Sequence, residues 1–412
     1  MHRVRQSVGY FREMGWQPTV VMVDPADSEF KSDPLLEQTL PEQLEIIRVG
    51  AFSTRWTRKL GLGSLALRSL WFYFREVNAL LRRRKFDLVY FSTTMFPVLI
   101  LGAYWKKRFK IPYVIDMQDP WHSEYYQDKP AHERPPKYWF AYRLNQYLEP
   151  IAMRQVGGII AVSEAYHQTL QTRYPNIRPE NCTVIPFGAF QKDLDVLQNQ
   201  IIPNRFFRAS PEFIHLAYVG RAGHDMRFAL TQVFRAFRKG LEQDPALFGK
   251  VRMYFIGTDY APEHQSRKTV VPVAENEGVA DYVTEHPFRV PYFAGLQILR
   301  DADGLLMPGS DDPRYTASKL YPYILAKRPL LAVFHEKSSV VRILRETNAG
   351  VVVPFSKGKD VSEAVYLAWQ RILRELPFSP PTNWQAFEPY MAREMTRKQV
   401  YFFEYVLSKQ PE

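Results

Sequence analysis

Three short stretches of this chain set chemically capable residue types at useful spacing. VIDMQDPWHSEYY, residues 114–126, places Asp116 and Asp119 three apart behind an apolar run and then adds Trp121, His122 and Glu124. Carboxylates and an imidazole this close are the residue types of general acid and base work, and equally those found at the polar end of a buried strand. YVGRAGHDMRFAL, residues 218–230, ends an apolar run in Gly220 and Arg221 just ahead of a helical pattern. Backbone N–H groups and a guanidinium in that position hold a diphosphate well. MPGSDDPRYTASKLYPYILAKRPLLAVF, residues 307–334, is a strand end, a polar loop with Gly309 and Ser310, a predicted helix from about Ser318 and Lys319, and another strand.

The surrounding pattern supplies the elements that must position these residues. Val4, Val8 and Phe11 predict a first helix stopped by Gly15, ahead of the strand PTVVMVD. Strand-like runs follow at DLVYFST (87–93), YVIDM (113–117), GGIIAVS (157–163) and CTVIPF (182–187), with intervals long enough for crossover helices. After IIPNRFFRASPE a second series begins: FIHLAYVG, VRMYFIG, YVTEHPF, ADGLLMPG, PLLAVF and AGVVVPF. Between its first two members, Leu230, Val233, Phe234, Phe237 and Leu241 have helical spacing and read as core. Such alternation predicts two doubly wound, mostly parallel α/β sheets in tandem. The expected boundaries are 1–198 and 212–375, with 376–412 forming helices that cross back toward the first domain. In open α/β sheets ligands collect at the carboxyl ends of the strands, where all three stretches fall.

Composition narrows the class. The chain has 412 residues, 46% of them hydrophobic, enough for two cores. Its 54 Lys and Arg against 43 Asp and Glu give a net charge of +11, which suggests an anionic partner. Cys182 is the only cysteine, so no intrachain disulfide and no cysteine-built zinc cage can form, and a cytoplasmic location is expected. The N-terminus lacks the apolar core of a signal peptide, and LVYFSTTMFPVLILGAYW is too interrupted for a good membrane span. Positions 55–86 carry nine Lys and Arg against Glu76 among Leu, Trp and Phe, a composition suited to the inner face of an anionic membrane or to a crossover helix with a basic edge. Nucleic-acid binding is disfavoured, because the basic residues are spread out and no recognised signature appears. An NAD site is disfavoured as well, since GRAGHD has only two of the required glycines.

Six segments in order resemble the retaining nucleotide-sugar glycosyltransferases of family 4, which have the GT-B architecture: GWQPTVVMV, IIAVSEAY, VIPFGAF, YVGR, SKLYPYILAKRPLLAV and, in QDPW, the D-x-R-D-P-W segment of some members. The resemblance covers nearly the whole chain. It implies two Rossmann-like domains facing a cleft, the first binding acceptor and the second the nucleotide-diphosphate sugar, with no metal and no other cofactor. Carried over by position, Gly220, Arg221, Gly309, Ser310, Tyr315, Ser318 and Lys319 would hold the donor. Asp119 would orient the acceptor or take its proton with His122 behind it, and Trp121 and Glu124 would lie on the acceptor side. Asp116 would be structural, bonding loop N–H groups.

The sequence departs from the family at several places. Arg314 and Pro322 stand where many members carry two Glu residues, the second of which binds the ribose hydroxyls; Tyr321, Tyr323 and Asp312 are the nearby substitutes. Lys327 stands where the family often has Gly, and Gln118 replaces the Arg of the D-x-R-D-P-W segment. The chain also opens on a helix where the family opens on a strand and a glycine-rich loop, so an upstream strand is expected to be missing. The implied reaction is glycosyl transfer to a glycolipid or oligosaccharide acceptor in envelope or exopolysaccharide assembly. A nucleotide-sugar epimerase and a degenerate sugar-nucleotide-binding protein are the alternatives.

Overall fold

A computed structural model of the chain describes residues 2–28, 33–57, 62–122, 138–261, 263–313, 318–356 and 358–410. It divides into two compact units: Met1–Phe187 with Ala392–Glu412, and Gly188–Met391.

The first unit contains strands β1 (Thr19–Val23), β2 (Glu45–Val49), β3 (Val89–Ser92), β4 (Tyr113–Met117), β5 (Gly158–Ala161) and β6 (Cys182–Val184). They form two parallel ladders, β1–β2 and β3–β4–β5–β6. Every residue of β4 and β5 is buried, as expected of parallel strands covered on both faces. Tyr113, Ile115, Met117, Ile159 and Ala161 form a core with Phe91, Trp105 and Trp121. The predicted first helix is His2–Glu13, followed by Gly15 at φ +82°. Val8 and Phe11 are buried as the spacing predicts, but Arg3 and Arg5 are buried beside them. Strand β2 was not expected: its sequence EIIRV is short and carries two charged residues, and it is defined by its pairing with β1.

The C-terminal helix Ala392–Ser408 belongs to this unit and packs on His2–Glu13. Phe403 lies 5.9 Å from Phe11 and 5.5 Å from Trp16 between ring centroids, and Gln399 donates to Ser7 Oγ at 2.8 Å. The same helix lies directly over the start of β5. A Cβ on Gly158 would meet the Phe402 ring at 2.6 Å and Val406 at 2.8 Å. Replacing Gly158 with Ala is therefore expected to destabilise the unit by about 1–3 kcal/mol through overpacking. A urea midpoint equal to that of the parent chain would refute this close approach.

The second unit is a six-stranded parallel sheet of order β12-β11-β10-β7-β8-β9. Its strands are β7 (Ile214–Val219), β8 (Val251–Ile256), β9 (Val283–His286), β10 (Gly304–Pro308), β11 (Leu330–His335) and β12 (Val351–Phe355). Helix Arg227–Gln243 buries Leu230, Val233, Phe234 and Phe237 at their helical spacing. From β7 the chain runs outward through β8 and β9, then returns to β10 on the other side. The strand order therefore reverses between β7 and β10, which opens a crevice at their carboxyl ends. The peptide after β7 is Gly220-Arg221, and the peptide after β10 is Gly309-Ser310.

Candidate active site

At the β7 exit Gly220 has φ +144°, and a Cβ there would come within 3.0 Å of Lys319 Nζ. Glycine thus meets two requirements at this position, an unusual φ and space for the lysine. Lys319 immediately precedes the short helix Leu320–Leu325. Its ammonium lies 4.5 Å over the Tyr218 ring and hydrogen-bonds Tyr218 Oη and the Arg221 carbonyl, the latter at 3.3 Å. Both acceptors are uncharged oxygens. Burial, with the Arg221 and Arg289 cations nearby, lowers the lysine to about 7, against a weaker opposing pull from Asp225.

Arg221 makes a two-pronged pair with Asp225, Nη1 to Oδ1 and Nη2 to Oδ2, each 2.7 Å. Burial acts to raise the Asp225 carboxyl, but hydrogen bonds from Arg221 and Ser310 outweigh it and hold the group below the usual carboxylate range. Ser310 is 2% exposed and also accepts from the Asp312 N–H at 3.1 Å. Its hydroxyl therefore fixes the carboxylate that aims Arg221. Gly309 is set against Phe334, where a Cβ would meet the ring at 2.5 Å. Arg289, after β9, lies 4.1 Å over the Tyr260 ring. The structure thus brings Gly220, Arg221, Gly309, Ser310 and Lys319 to one end of one sheet, with Ser318 exposed beside Lys319. Tyr315 lies outside the described residues. Sequence reading missed Asp225 and Arg289; the signal for Asp225 was its place four residues after Arg221 at a helix entrance.

The position of the missing family glutamate, Pro322, lies inside helix Leu320–Leu325. Of the three substitutes, Tyr321 is buried against Phe387 and Tyr390. Tyr323 Oη accepts from the Val219 N–H at 2.7 Å and donates to the Val219 carbonyl at 3.1 Å. Asp312 is exposed. Lys327, in the family's frequent glycine position, has φ +56°, the left-handed conformation that glycine adopts at no steric cost.

In the first unit Asp116 is the penultimate residue of β4 and is 1% exposed. The expected bonds to loop N–H groups are replaced by side chains: Arg3 Nε at 3.1 Å, Arg3 Nη2 at 3.3 Å, Ser92 Oγ at 2.9 Å and Gln118 Nε2 at 2.7 Å. Where the resembling segment has Arg, Gln118 stands, and the cation facing Asp116 comes instead from Arg3. That guanidinium also donates to the carbonyls of Ile185, at 2.5 Å, and Pro186, at 2.7 Å. It therefore ties β4 to the chain leaving β6.

The rest of the loop is fastened inward. Trp121 is buried, stacks on Phe96 at 5.5 Å and donates to Asn145 at 3.1 Å, so its ring belongs to the core. His122 is buried with its ring 4.6 Å from Tyr142, and its carbonyl accepts from Arg173 at 2.9 Å. Asp119 is exposed between Asp116 and Trp121, with its carboxyl raised by partial burial. The negative charge of Asp119 also helps raise the phenol of Tyr166, after burial. Tyr166 was not expected at the site, although it lies in the quoted segment IIAVSEAY. Glu124 lies outside the described residues. Among the described residues no three His, Cys, Asp or Glu side chains are grouped as a metal-binding set, and no helix is long and apolar enough to cross a membrane.

Comparison with known proteins agrees with this architecture. Residues 3–189 match the family model described as Glycosyltransferase Family 4. No curated protein matches the sequence. Among solved structures, a glycosyltransferase from Rickettsia africae is 12% identical with a TM-score of 0.57, the match covering 99% of this chain and 94% of that one. Anabaena Alr3699/HepE in complex with UDP-glucose is 14% identical with a TM-score of 0.56, covering 98% of this chain and 95% of that one. A UDP-forming alpha,alpha-trehalose-phosphate synthase from Burkholderia vietnamiensis is 13% identical with a TM-score of 0.52, covering 85% and 78%. At these identities the structural likeness speaks to the fold, while the family model speaks to residues 3–189. Residues 3–189 thus match the family 4 glycosyltransferases, and the chain as a whole has the GT-B fold.

Proposed function

We propose that the enzyme transfers a sugar, with retention, from a nucleotide-diphosphate donor held by the second unit to a glycolipid or oligosaccharide acceptor held by the first. The observation that carries this reading is the Lys319–Arg221 cluster at the β7–β10 crevice. Breaking the bond between the sugar and the diphosphate leaves growing negative charge on the departing oxygen, and cations already in place stabilise it without reorganising. Lys319 donates to uncharged oxygens, and a diphosphate would supply an anion. Arg221 is oriented by Asp225 and Ser310. The new bond forms to an acceptor oxygen whose proton passes to Asp119, which its raised pKa suits. Trp121 and His122 hold the loop from behind rather than touching the sugar.

Two structural neighbours support the donor class: one holds UDP-glucose, and the other is described as UDP-forming. A UDP-sugar is accordingly the first donor to test, and envelope or exopolysaccharide assembly is the setting that fits a glycolipid acceptor. Thermal shift against a panel of UDP-, GDP- and ADP-sugars tests the reading. A matching donor at a hundredfold excess over Kd stabilises the folded state by about 2.7 kcal/mol. No shift with any nucleotide-sugar or nucleoside diphosphate would overturn it. Pro322, with Tyr321 and Tyr323 engaged elsewhere, favours one second reading, binding of the sugar nucleotide without turnover. Product analysis with and without acceptor separates the two.

A further inference from the structure

A buried carboxylate stands behind the loop that carries Arg221. In β9, Val283 and Glu285 turn to the buried side of the strand while Thr284 is exposed, so the alternation puts Glu285 where an apolar residue belongs. It is 5% exposed. A carboxylate so placed is costly unless donors surround it, and here they do. Oε1 accepts from the Thr258 hydroxyl at 2.6 Å and the Thr269 N–H at 2.9 Å. Oε2 accepts from the N–H groups of Val270 and Val271 at 3.0 and 2.9 Å. The last three donors lead into the helix Val271–Asn276.

The two threonines also reach the other way. Thr269 Oγ1 donates to the Ala222 carbonyl at 2.6 Å, against 3.4 Å to Glu285, so its single proton goes to Ala222. The Thr258 carbonyl accepts from the Ala222 N–H at 3.0 Å. Ala222 is fully buried and directly follows Arg221. Both polar groups of the residue after Arg221 are therefore gripped, one by each threonine, and Glu285 holds both threonines.

A carboxylate at the start of a helix could serve that helix alone. Thr269 separates the two roles, because its N–H serves the helix entrance through Glu285 while its hydroxyl serves the Arg221 loop.

We infer that Glu285, acting through Thr258 and Thr269, is a positioning residue that fixes the backbone of Arg221 and so the reach of its guanidinium toward the donor diphosphate. Asp225 and Ser310 aim the far end of that side chain, and Glu285 sets its root. Such a constraint matters because about 1 Å of misplacement can cost about a hundredfold in rate. The inference rests on the donor reading given above.

Inorganic pyrophosphate, titrated calorimetrically into the full chain, is the probe. Thr269→Val keeps the N–H that Glu285 accepts and removes only the hydroxyl; it is expected to weaken pyrophosphate about tenfold, the worth of one hydrogen bond. Thr269→Ser returns the hydroxyl and should return most of the affinity. In an Arg221→Gln chain, which keeps Lys319, the same Thr269→Val change is expected to alter affinity less than about twofold, because the residue that transmits the effect is gone. Hydrogen exchange in the free chain gives a second readout. The Ala222 amide should exchange about tenfold faster in Thr269→Val, while the amides of Val270 and Val271 keep the parent rate. Glu285→Gln, whose amide nitrogen would face N–H and O–H donors, should weaken pyrophosphate and speed exchange at all three amides; should that chain not fold, the Thr269 variants still decide.

Parent affinity in Thr269→Val, an equal loss with and without Arg221, or faster exchange spread evenly over the second unit would each overturn the inference, the last by reducing the network to a stabilising cap. A parent chain that binds neither pyrophosphate nor any nucleoside diphosphate would instead overturn the donor reading, and this inference with it.

Discussion

A Lys319→Ala enzyme is expected to lose about a hundred- to a thousandfold in kcat with the best donor, the range seen when one preorganised transition-state donor is removed. The fold should survive, because Lys319 hydrogen-bonds only Tyr218 and the Arg221 carbonyl among the described residues, and those two are bonded directly to each other. Unchanged turnover with a normal thermal midpoint would remove Lys319 from the mechanism. The same residue sets a pH dependence. In the free protein its ammonium titrates near 7, whereas a bound diphosphate favours the charged form. Donor affinity should therefore fall as pH rises above about 7, approaching tenfold per pH unit until the pKa of the bound state is reached. Calorimetry in buffers of different ionisation heat should register proton uptake on binding above neutrality. Stability runs in the opposite direction. The folded pKa lies below the ordinary 10.5, so the unfolded chain binds more protons between about 7 and 10.5. This contribution is present at high pH and is lost as pH falls through that window. A Lys319→Met chain should have neither slope.

The second large effect is expected in the first unit. Arg3→Met would leave Asp116 buried with Ser92 and Gln118 but without its cation, and breaking a buried pair in this way costs about 3–5 kcal/mol. All of the eight tryptophans except Trp369 and Trp384 belong to the first unit, so intrinsic fluorescence during urea unfolding reports chiefly on it. The added change Asp116→Asn should return part of the loss, since it removes the stranded charge. If Arg3→Met alone unfolded at the parent midpoint, the pair would be structurally idle. A collapse shared equally by the single and double variants would assign the effect to the Ile185 and Pro186 carbonyls instead.

Arg3 also shows where the sequence was legible and where it was not. The long apolar runs marked the central strands of both units, though not the split of the first unit into two ladders, because a parallel strand covered on two faces must be apolar along its whole length, as in YVIDM and GGIIAVS. The quoted motifs located the strand exits for the same reason, since a loop can begin only where such a run stops. Strand β2 escaped because EIIRV is short, mixed with charge and defined by its partner. Arg3 escaped because helical periodicity ranks hydrophobic residues and treats an arginine as solvent-facing. Its burial depends on Asp116, more than a hundred residues away. Trp121 illustrates the converse: it was expected on the acceptor side, and the tertiary contact with Phe96 and Asn145 seats its ring in the core. At the Lys319–Arg221 cluster, residue types suggested phosphate binding, but the partnership of Arg221, Asp225 and Ser310 required coordinates.

The division of the chain also bears on how it is made. Residues 188–391 form one uninterrupted unit, whereas the other is assembled from both ends of the polypeptide. During synthesis the second unit has its whole sequence available as soon as it leaves the ribosome. The first must wait for residues 392–408 to bring Phe402 and Val406 over Gly157 and Gly158. The order of completion on the ribosome is thus the reverse of the order of translation, and until the last helix arrives the nascent enzyme carries an uncovered apolar sheet face, the kind of surface that chaperones recognise.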